Sequence, residues 1–343
     1  MNARFETVEL ALDVPFTIAR GTMDATENVV VEIEHDGETG YGAAAPSPHY
    51  GETRATVEAL LPDLLEMVEG VDDPHARREI SDRMRSIARD NPAARAAVDV
   101  ALWDLAGKLL DTPVYRLLGR SADRSYPETS FTIGLDETDE MGTRASEAVD
   151  SGYSILKLKL GTDRDLDIVE AVRTAAPGAT IRVDANEAWT PKEAVRKCRA
   201  LADYGVEFVE QPVPAETIGG LEHVYERSPV PIAADESCLV ASDVPGLADR
   251  CDIVNLKLMK TGGLTPAIEL IHTARAHGLE VMCGCMIETN ASLAGSAHLL
   301  PLLDYADLDG SLLLDSDPYA GVPVTSGQFD LGAVGAGTGA APR

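Results

Sequence analysis

The sequence predicts an α/β fold, a modified TIM barrel of (β/α)7β type with an α+β N-terminal capping domain that the C-terminal segment completes. Three observations predict it. From Ser125 onward, short apolar strands alternate with amphipathic helices, the pattern of parallel βα units. Charged residues end successive strands of that series, on the face where barrels build their active sites. The residues before Ser125 follow another rhythm, strands first and helices after. At 343 residues the chain exceeds one ordinary domain. It accommodates a barrel of roughly 200 to 250 residues with a smaller partner. The expected division is a cap over 1–120, a barrel over 121–315, and a segment over 316–343 that returns to the cap and ends in a flexible tail.

In the cap, Phe5 to Leu12, Asn28 to His35 and Thr39 to Ala44 read as strands, with a turn at His35-Asp36-Gly37. Thr53 to Val68 and Pro74 to Arg89 carry helical periodicity, and Asn91-Pro92 opens a third helix running AARAAVDVALWDLAGKLL. The barrel strands are expected at Tyr126 to Ile133, Ile155 to Leu160, Thr180 to Asp184, Glu207 to Glu210, Pro231 to Asp235, Ile253 to Leu258, Glu280 to Gly284 and Tyr305 to Leu308. A dinucleotide fingerprint is missing, because Gly262-Gly263 and the terminal GAVGAGTG follow no strand-to-helix turn. The terminal glycine run reads as the flexible tail.

Composition narrows the functional classes. With 45% hydrophobic and 25% charged residues, the chain can bury a large core. Its formal net charge of -28, from 57 acidic and 29 basic side chains, argues against nucleic acid and anionic membranes as partners. The only lysines are Lys108, Lys157, Lys159, Lys192, Lys197, Lys257 and Lys260. Such an acid-rich, lysine-poor chain suggests adaptation to a saline cytosol, where screening relieves self-repulsion. Its melting temperature is expected to rise from dilute buffer to molar potassium chloride, and an unchanged value refutes the halophilic reading. Cys198, Cys238, Cys251, Cys283 and Cys285 show no zinc-type spacing and read as reduced thiols. No basic leader or long apolar run is present, so a cytoplasmic protein is expected.

Chemistry gathers at the strand ends. Strand two closes with Lys157-Leu158-Lys159, strand three with Asp184, strand four with Glu210, strand five with Asp235 and strand six with Lys257. A single charge in such a place is usually solvated or paired, but five successive strands ending this way describe a site. Lys157 and Lys159 share one face of their strand, with Leu156, Leu158 and Leu160 on the other. Crowding and desolvation of the two ammonium groups are expected to lower a lysine toward the range of a general base. Asp184, Glu210 and Asp235 offer three hard oxygen donors, which suit one Mg²⁺ or Mn²⁺ ion. Asn186 and Glu236 either support these ligands or cap turns. A cation facing lysines suits removal of a proton beside a carboxylate, and Lys159 and Lys257, on opposite sides of the mouth, suit proton transfer between two faces.

With these motifs, KLK at Lys157 to Lys159, VDAN, EQP, ADES and NLKLMKTGG, the sequence resembles the enolase superfamily over essentially the whole chain, in its muconate lactonizing enzyme subgroup. Within that subgroup it looks like the dipeptide epimerases. The resemblance implies Lys159 and Lys257 as the two bases, and Lys157 as the group that polarises the substrate carboxylate. Asp315-Ser316-Asp317, after the eighth strand, matches the DxD motif with which these enzymes hold the substrate's α-ammonium. Cap loops at Ile18 to Thr22 and Pro48 to Gly51 are expected over the site. Arg20 is a candidate for a substrate oxygen or an ordinary surface arginine. Phe131 and Met286 are candidate pocket residues. Glu288 either selects a cationic side chain or caps the helix that starts near Thr289. A dipeptide substrate and a homo-oligomer follow by analogy. The competing readings are N-acylamino acid racemase, o-succinylbenzoate synthase, cycloisomerase, or a non-catalytic amino-acid-binding barrel. Retention of both lysines and all three acids argues against the last.

Overall fold

Three long antiparallel strands open the chain: β1 (Asn2–Ile18), β2 (Gly21–His35) and β3 (Glu38–Ala44), adjacent in that order. They are seen in a computed structural model that describes residues 1–122 and 125–343. Alternation explains the pairing of faces, for Val29, Val31 and Ile33 join the main core while Val30 and Ala43 pack with Ala291 and Tyr319 on the other side. β1 runs past Leu12, where its sequence pattern stops. Its register against β2 shifts between Ala11 and Phe16, and the bulged stretch bonds to the 313–315 segment through Asp13 N to Leu313 O and Asp315 N to Ala11 O. The hairpin therefore reaches the barrel with Arg20 at its tip.

Three helices follow: α1 (Arg54–Val71), α2 (Arg77–Ile87) and α3 (Pro92–Leu109). Thr53 and Thr56 form a reciprocal capping box at the start of α1. Asn91 at φ 56° and Pro92 in the first turn open α3, whose residues Ala93 to Gly107 are all buried. That burial has two sides. Gly40 and Gly42 of β3 let α3 lie directly on the sheet, since a Cβ at either position would overlap the carbonyl oxygens of Ala101 and Ala97. Toward the barrel, Trp103 Nε1 donates to Thr265 Oγ1 at 2.9 Å and Thr265 N donates to Asp99 Oδ2 at 2.9 Å.

The barrel strands are β4 (Phe131–Ile133), β5 (Ile155–Lys159), β6 (Thr180–Asp184), β7 (Val206–Glu210), β8 (Ile232–Ala234), β9 (Ile253–Leu256), β10 (Glu280–Gly284) and β11 (Tyr305–Asp307). They form one parallel sheet in sequence order, and a bridge between Thr129 and Ala306 brings its two edges together. Register aligns Lys159 with Asp184 and Asp184 with Glu210 at one level across β5, β6 and β7. Among the described residues, no helix is long and apolar enough to cross a membrane.

The glycine-rich end is packed, which corrects the expected flexible tail. Thr338 donates from N and Oγ1 to Asp104 Oδ1, at 2.7 and 2.9 Å, and Val114 N donates to Gly337 O at 2.8 Å. His298 accepts from Tyr115 N through Nδ1, and its Nε2 meets Thr338 O at 3.0 Å. Gly337 and Gly339 take positive φ, and Gly337 lies against Gly107 of α3. The glycines supply close approach and left-handed turns here instead of freedom.

Candidate active site

The C-terminal ends of the barrel strands and the underside of the cap enclose a cavity of about 270 Å³. Its floor includes Lys157, Lys159, Lys257, Asp307 and Asp309, and its roof Ile18, Arg20, Met23, Pro48, His49 and Tyr50. Asp184, Glu210 and Asp235 lie deeper, with no exposed surface. Counting around the barrel, Lys159 ends the second strand and Lys257 follows the sixth, so the two lysines face each other. Of the three deep acids, Asp184 and Glu210 end strands three and four, and Asp235 directly follows strand five. Asp307 ends strand eight, directly across from strand four.

Each deep carboxylate is held by cations. Lys159 Nζ lies 2.7 Å from Asp184 Oδ2, and Lys257 Nζ lies 2.7 Å from Asp235 Oδ2. Lys157 Nζ reaches Asp307 Oδ2 at 2.6 Å, Glu210 Oε2 at 2.7 Å and Asp184 Oδ2 at 3.2 Å. Burial disfavours the Lys157 charge, but Asp307, Glu210 and Asp184 more than offset it and hold the ammonium well above the usual lysine range. Lys257 is raised in the same way, against burial, chiefly by Asp235. For Lys157 this corrects the expectation of a lowered lysine, because nearby carboxylates outweigh the crowding of like charges. Burial likewise opposes ionisation of Asp184 and Asp235, yet Lys159 and Lys157 hold the first, and Lys257 and Lys260 the second, well below the usual carboxylate range. Glu210 is pushed up to about 7 by burial and by Asp184.

These acids suit a hard divalent cation on the structure's own terms. They present oxygens only, and Glu210 Oε2 is buried with no aligned hydrogen-bond donor although the Lys157 ammonium is near. Around them stand residues that sequence patterns did not single out for this role. Asn255 Nδ2 donates to Glu210 Oε1 at 2.7 Å. Lys260, fully buried, donates to Asp235 Oδ1 at 2.5 Å and to the carbonyls of Asp235, Cys238 and Asn255. Gln211 Oε1 accepts from Asp235 N at 2.9 Å. Asn186, which the sequence did offer as a support for these ligands or a turn cap, donates from N and Nδ2 to Asp184.

Asp315 and Asp317 are not at the cavity. Asp315 is exposed, and Asp317 is buried against the helix Asn290–Ala297. Its oxygens accept from Thr289 Oγ1, Asn290 N, Asn290 Nδ2 and Tyr319 N, so no lone pair is left for a ligand. The acid pair that does face the cavity is Asp307-Leu308-Asp309, eight positions earlier. Asp309 accepts from Thr132 N at 2.6 Å and is pushed up to about 6 by burial and by Asp307. Applying the strand-end rule to strand eight, as to strands two to six, finds this pair.

The remaining candidates divide. Met286 lines the cavity. Phe131 lines a neighbouring one of about 320 Å³ and packs on Tyr153 at 4.8 Å between ring centroids. Glu288 is buried and accepts from Met286 N and Ser292 Oγ, so it braces the start of the Asn290–Ala297 helix instead of meeting a substrate. Arg20 lines the cavity, but its guanidinium is bonded to Glu236 Oε1 at 2.9 Å, Asn186 O at 3.1 Å and Glu187 Oε2 at 3.3 Å. His49, Glu187 and Glu236 bring ligand-type atoms within 4.8 Å of one another. The Arg20 guanidinium already supplies the positive charge at that cluster.

Lysines and carboxylates sharing a barrel mouth under an α+β lid define an enzyme of the enolase type. Residues 140–339 match the enolase C-terminal domain-like family model, and residues 2–119 match the N-terminal domain of the mandelate racemase / muconate lactonizing enzyme family. The chain belongs to that family. Among its relatives, the L-Ala-D/L-Glu epimerase of Bacteroides thetaiotaomicron is 38% identical over 333 residues, 96% of this chain and 85% of that protein. The hydrophobic dipeptide epimerase of Enterococcus faecalis is 38% identical over 324 residues, 91% of each. A dipeptide epimerase of Enterococcus faecalis, solved with Mg and the dipeptide L-Leu-L-Tyr, superposes with a TM-score of 0.93 at 35% identity, covering 99% of this chain and 98% of that one. The enzyme of Methylococcus capsulatus, solved with Mg and L-Arg-D-Lys, superposes with a TM-score of 0.91 at 33% identity, covering 99% of this chain and 98% of that one.

Proposed function

We propose that this chain is a dipeptide epimerase that inverts the α-carbon of the C-terminal residue, with Asp184, Glu210 and Asp235 as ligands of one Mg²⁺ or Mn²⁺ ion. The observation that carries the reading is the crossed layout of the mouth. One axis joins the opposed lysines Lys159 and Lys257, and the other joins the deep acids to Asp307. A dipeptide matches the second axis, with its carboxylate at the deep acids and its ammonium at Asp307 and Asp309. Its C-terminal α-carbon then lies between the two lysines. A bound Mg²⁺ supplies positive charge against the second negative charge that the substrate carboxylate gains as the α-proton leaves. Lys157 polarises that carboxylate. Lys159 removes or returns the proton on one face, and Lys257 does so on the other. The five free cysteines and the acid-rich surface suit a reducing, saline cytoplasm.

The test is α-deuterium incorporation into L,L-dipeptides in D₂O, followed by mass spectrometry, with and without EDTA. Exchange at the C-terminal residue is expected, lost with EDTA and restored by added Mg²⁺. Exchange of N-succinyl amino acids without any exchange of dipeptides sinks the proposal, because those substrates carry no ammonium for the Asp pair.

A further inference from the structure

The same layout says where the side chain of the inverted residue must go. When the α-proton leaves, the α-carbon becomes planar, and the plane is perpendicular to the line between the two lysines. Two substituents in that plane are committed, the carboxylate toward the deep acids and the amide toward Asp307 and Asp309. The third, the side chain, points up the barrel axis into the roof formed by Ile18, Arg20, Met23, Pro48, His49 and Tyr50. All of these but Arg20 present hydrocarbon or ring surface. The one permanent cation is Arg20, and its charge is already answered: Nη2 is 2.9 Å from Glu236 Oε1, and Nη1 is 3.3 Å from Glu187 Oε2. Nη1 also donates to Asn186 O. Glu187 is well fixed, accepting from Ala215 N at 2.7 Å and lying 3.2 Å from His49 Nε2. Glu236 Oε2 is buried with no partner at all. One guanidinium thus faces two carboxylates that answer its charge, so an acidic side chain entering there meets negative charge that Arg20 does not offset.

We infer that the enzyme's substrates carry an uncharged, apolar C-terminal residue, and that Glu187 sets this preference by neutralising Arg20. The inference rests on the dipeptide reading above. A side chain of the leucine, methionine or phenylalanine kind covers the apolar roof and leaves the Arg20 pairs intact. A glutamate side chain must break them, and a lysine side chain must compete with Arg20 for the same acids.

The test compares kcat/KM for L-Ala-L-Leu, L-Ala-L-Met, L-Ala-L-Phe, L-Ala-L-Glu and L-Ala-L-Lys on the wild-type enzyme with Mg²⁺, then on Glu187→Gln. The best apolar dipeptide is expected to exceed L-Ala-L-Glu by about tenfold or more in the wild type. In Glu187→Gln, which keeps an oxygen for Ala215 N, the ratio of L-Ala-L-Glu to L-Ala-L-Leu is expected to rise about tenfold. Because both substrates are read on one preparation, partial misfolding cancels from that ratio. A wild-type preference for L-Ala-L-Glu or L-Ala-L-Lys overturns the inference and leaves the epimerase standing, as does a ratio unmoved by Glu187→Gln. Absence of exchange with every dipeptide overturns both.

Discussion

Lys159→Ala will abolish inversion and will also stop α-deuterium exchange from one of the two epimers of a dipeptide, while the other epimer continues to exchange. Lys257→Ala will do the reverse. The expectation follows from barrel order, for a residue on strand two and one just after strand six approach the α-carbon from opposite faces. Each face keeps its own acid or base when the other is removed. Loss of a positioned acid-base group costs about 10²- to 10⁴-fold, so inversion should fall by roughly three orders of magnitude in either variant. Both epimers are assayed separately in D₂O. If one variant stops exchange from both epimers and the other from neither, a single base serves both faces and the opposed-lysine mechanism is wrong.

Asp309→Asn will raise KM for dipeptides sharply, and Asp315→Asn will change nothing measurable. Removing one partner of a buried charge pair costs about 2 to 5 kcal/mol, which lowers kcat/KM by about 30-fold or more. Exposed Asp315 has no such pair to lose. The same carboxylate gives the profile a pH signature. Burial and Asp307 push Asp309 up to about 6 in the free protein, whereas an α-ammonium stays charged to about pH 8. As pH falls through 6, Asp309 gains a proton and loses its attraction for the ammonium, so kcat/KM should decline from neutrality toward pH 5. The decline should be smaller in Asp309→Asn. Equal losses in Asp309→Asn and Asp315→Asn would show that neither acid is the specific anchor.

Much of the barrel was readable because its strands are short, mainly apolar runs that close on a charged residue at the mouth, although Arg182 and Glu207 interrupt two of them. That is why Asp184 and Glu210 end strands where expected, and why alternation brought Lys157 and Lys159 to the same face. The Asp pair was misassigned for a reason internal to the sequence. DLD at Asp307 and DSD at Asp315 have the same spacing and nearly the same neighbourhood. What separates them is position, for Asp307 ends strand eight in line with Gly284, which the strand-end rule marks and the DxD spacing alone does not. Lys260 was equally hidden, since its partner Asp235 belongs to the preceding βα unit. The glycine run near the C-terminus misled because composition does not distinguish a residue chosen for freedom from one chosen for lack of bulk, as at Gly337 against Gly107.

The seating of α3 on β3 through Gly40 and Gly42 has a mechanical outcome. Backbone lies on backbone there, and the opposite side of the same helix is bonded to the barrel through Thr265. Such a joint leaves no room for the lid to swing as a body. Substrate traffic must pass by local give in two small pieces, the hairpin tip around Arg20 and the turn around Pro48–Tyr50, while the sheet above stays still. The enzyme behaves as a fixed frame with two small shutters.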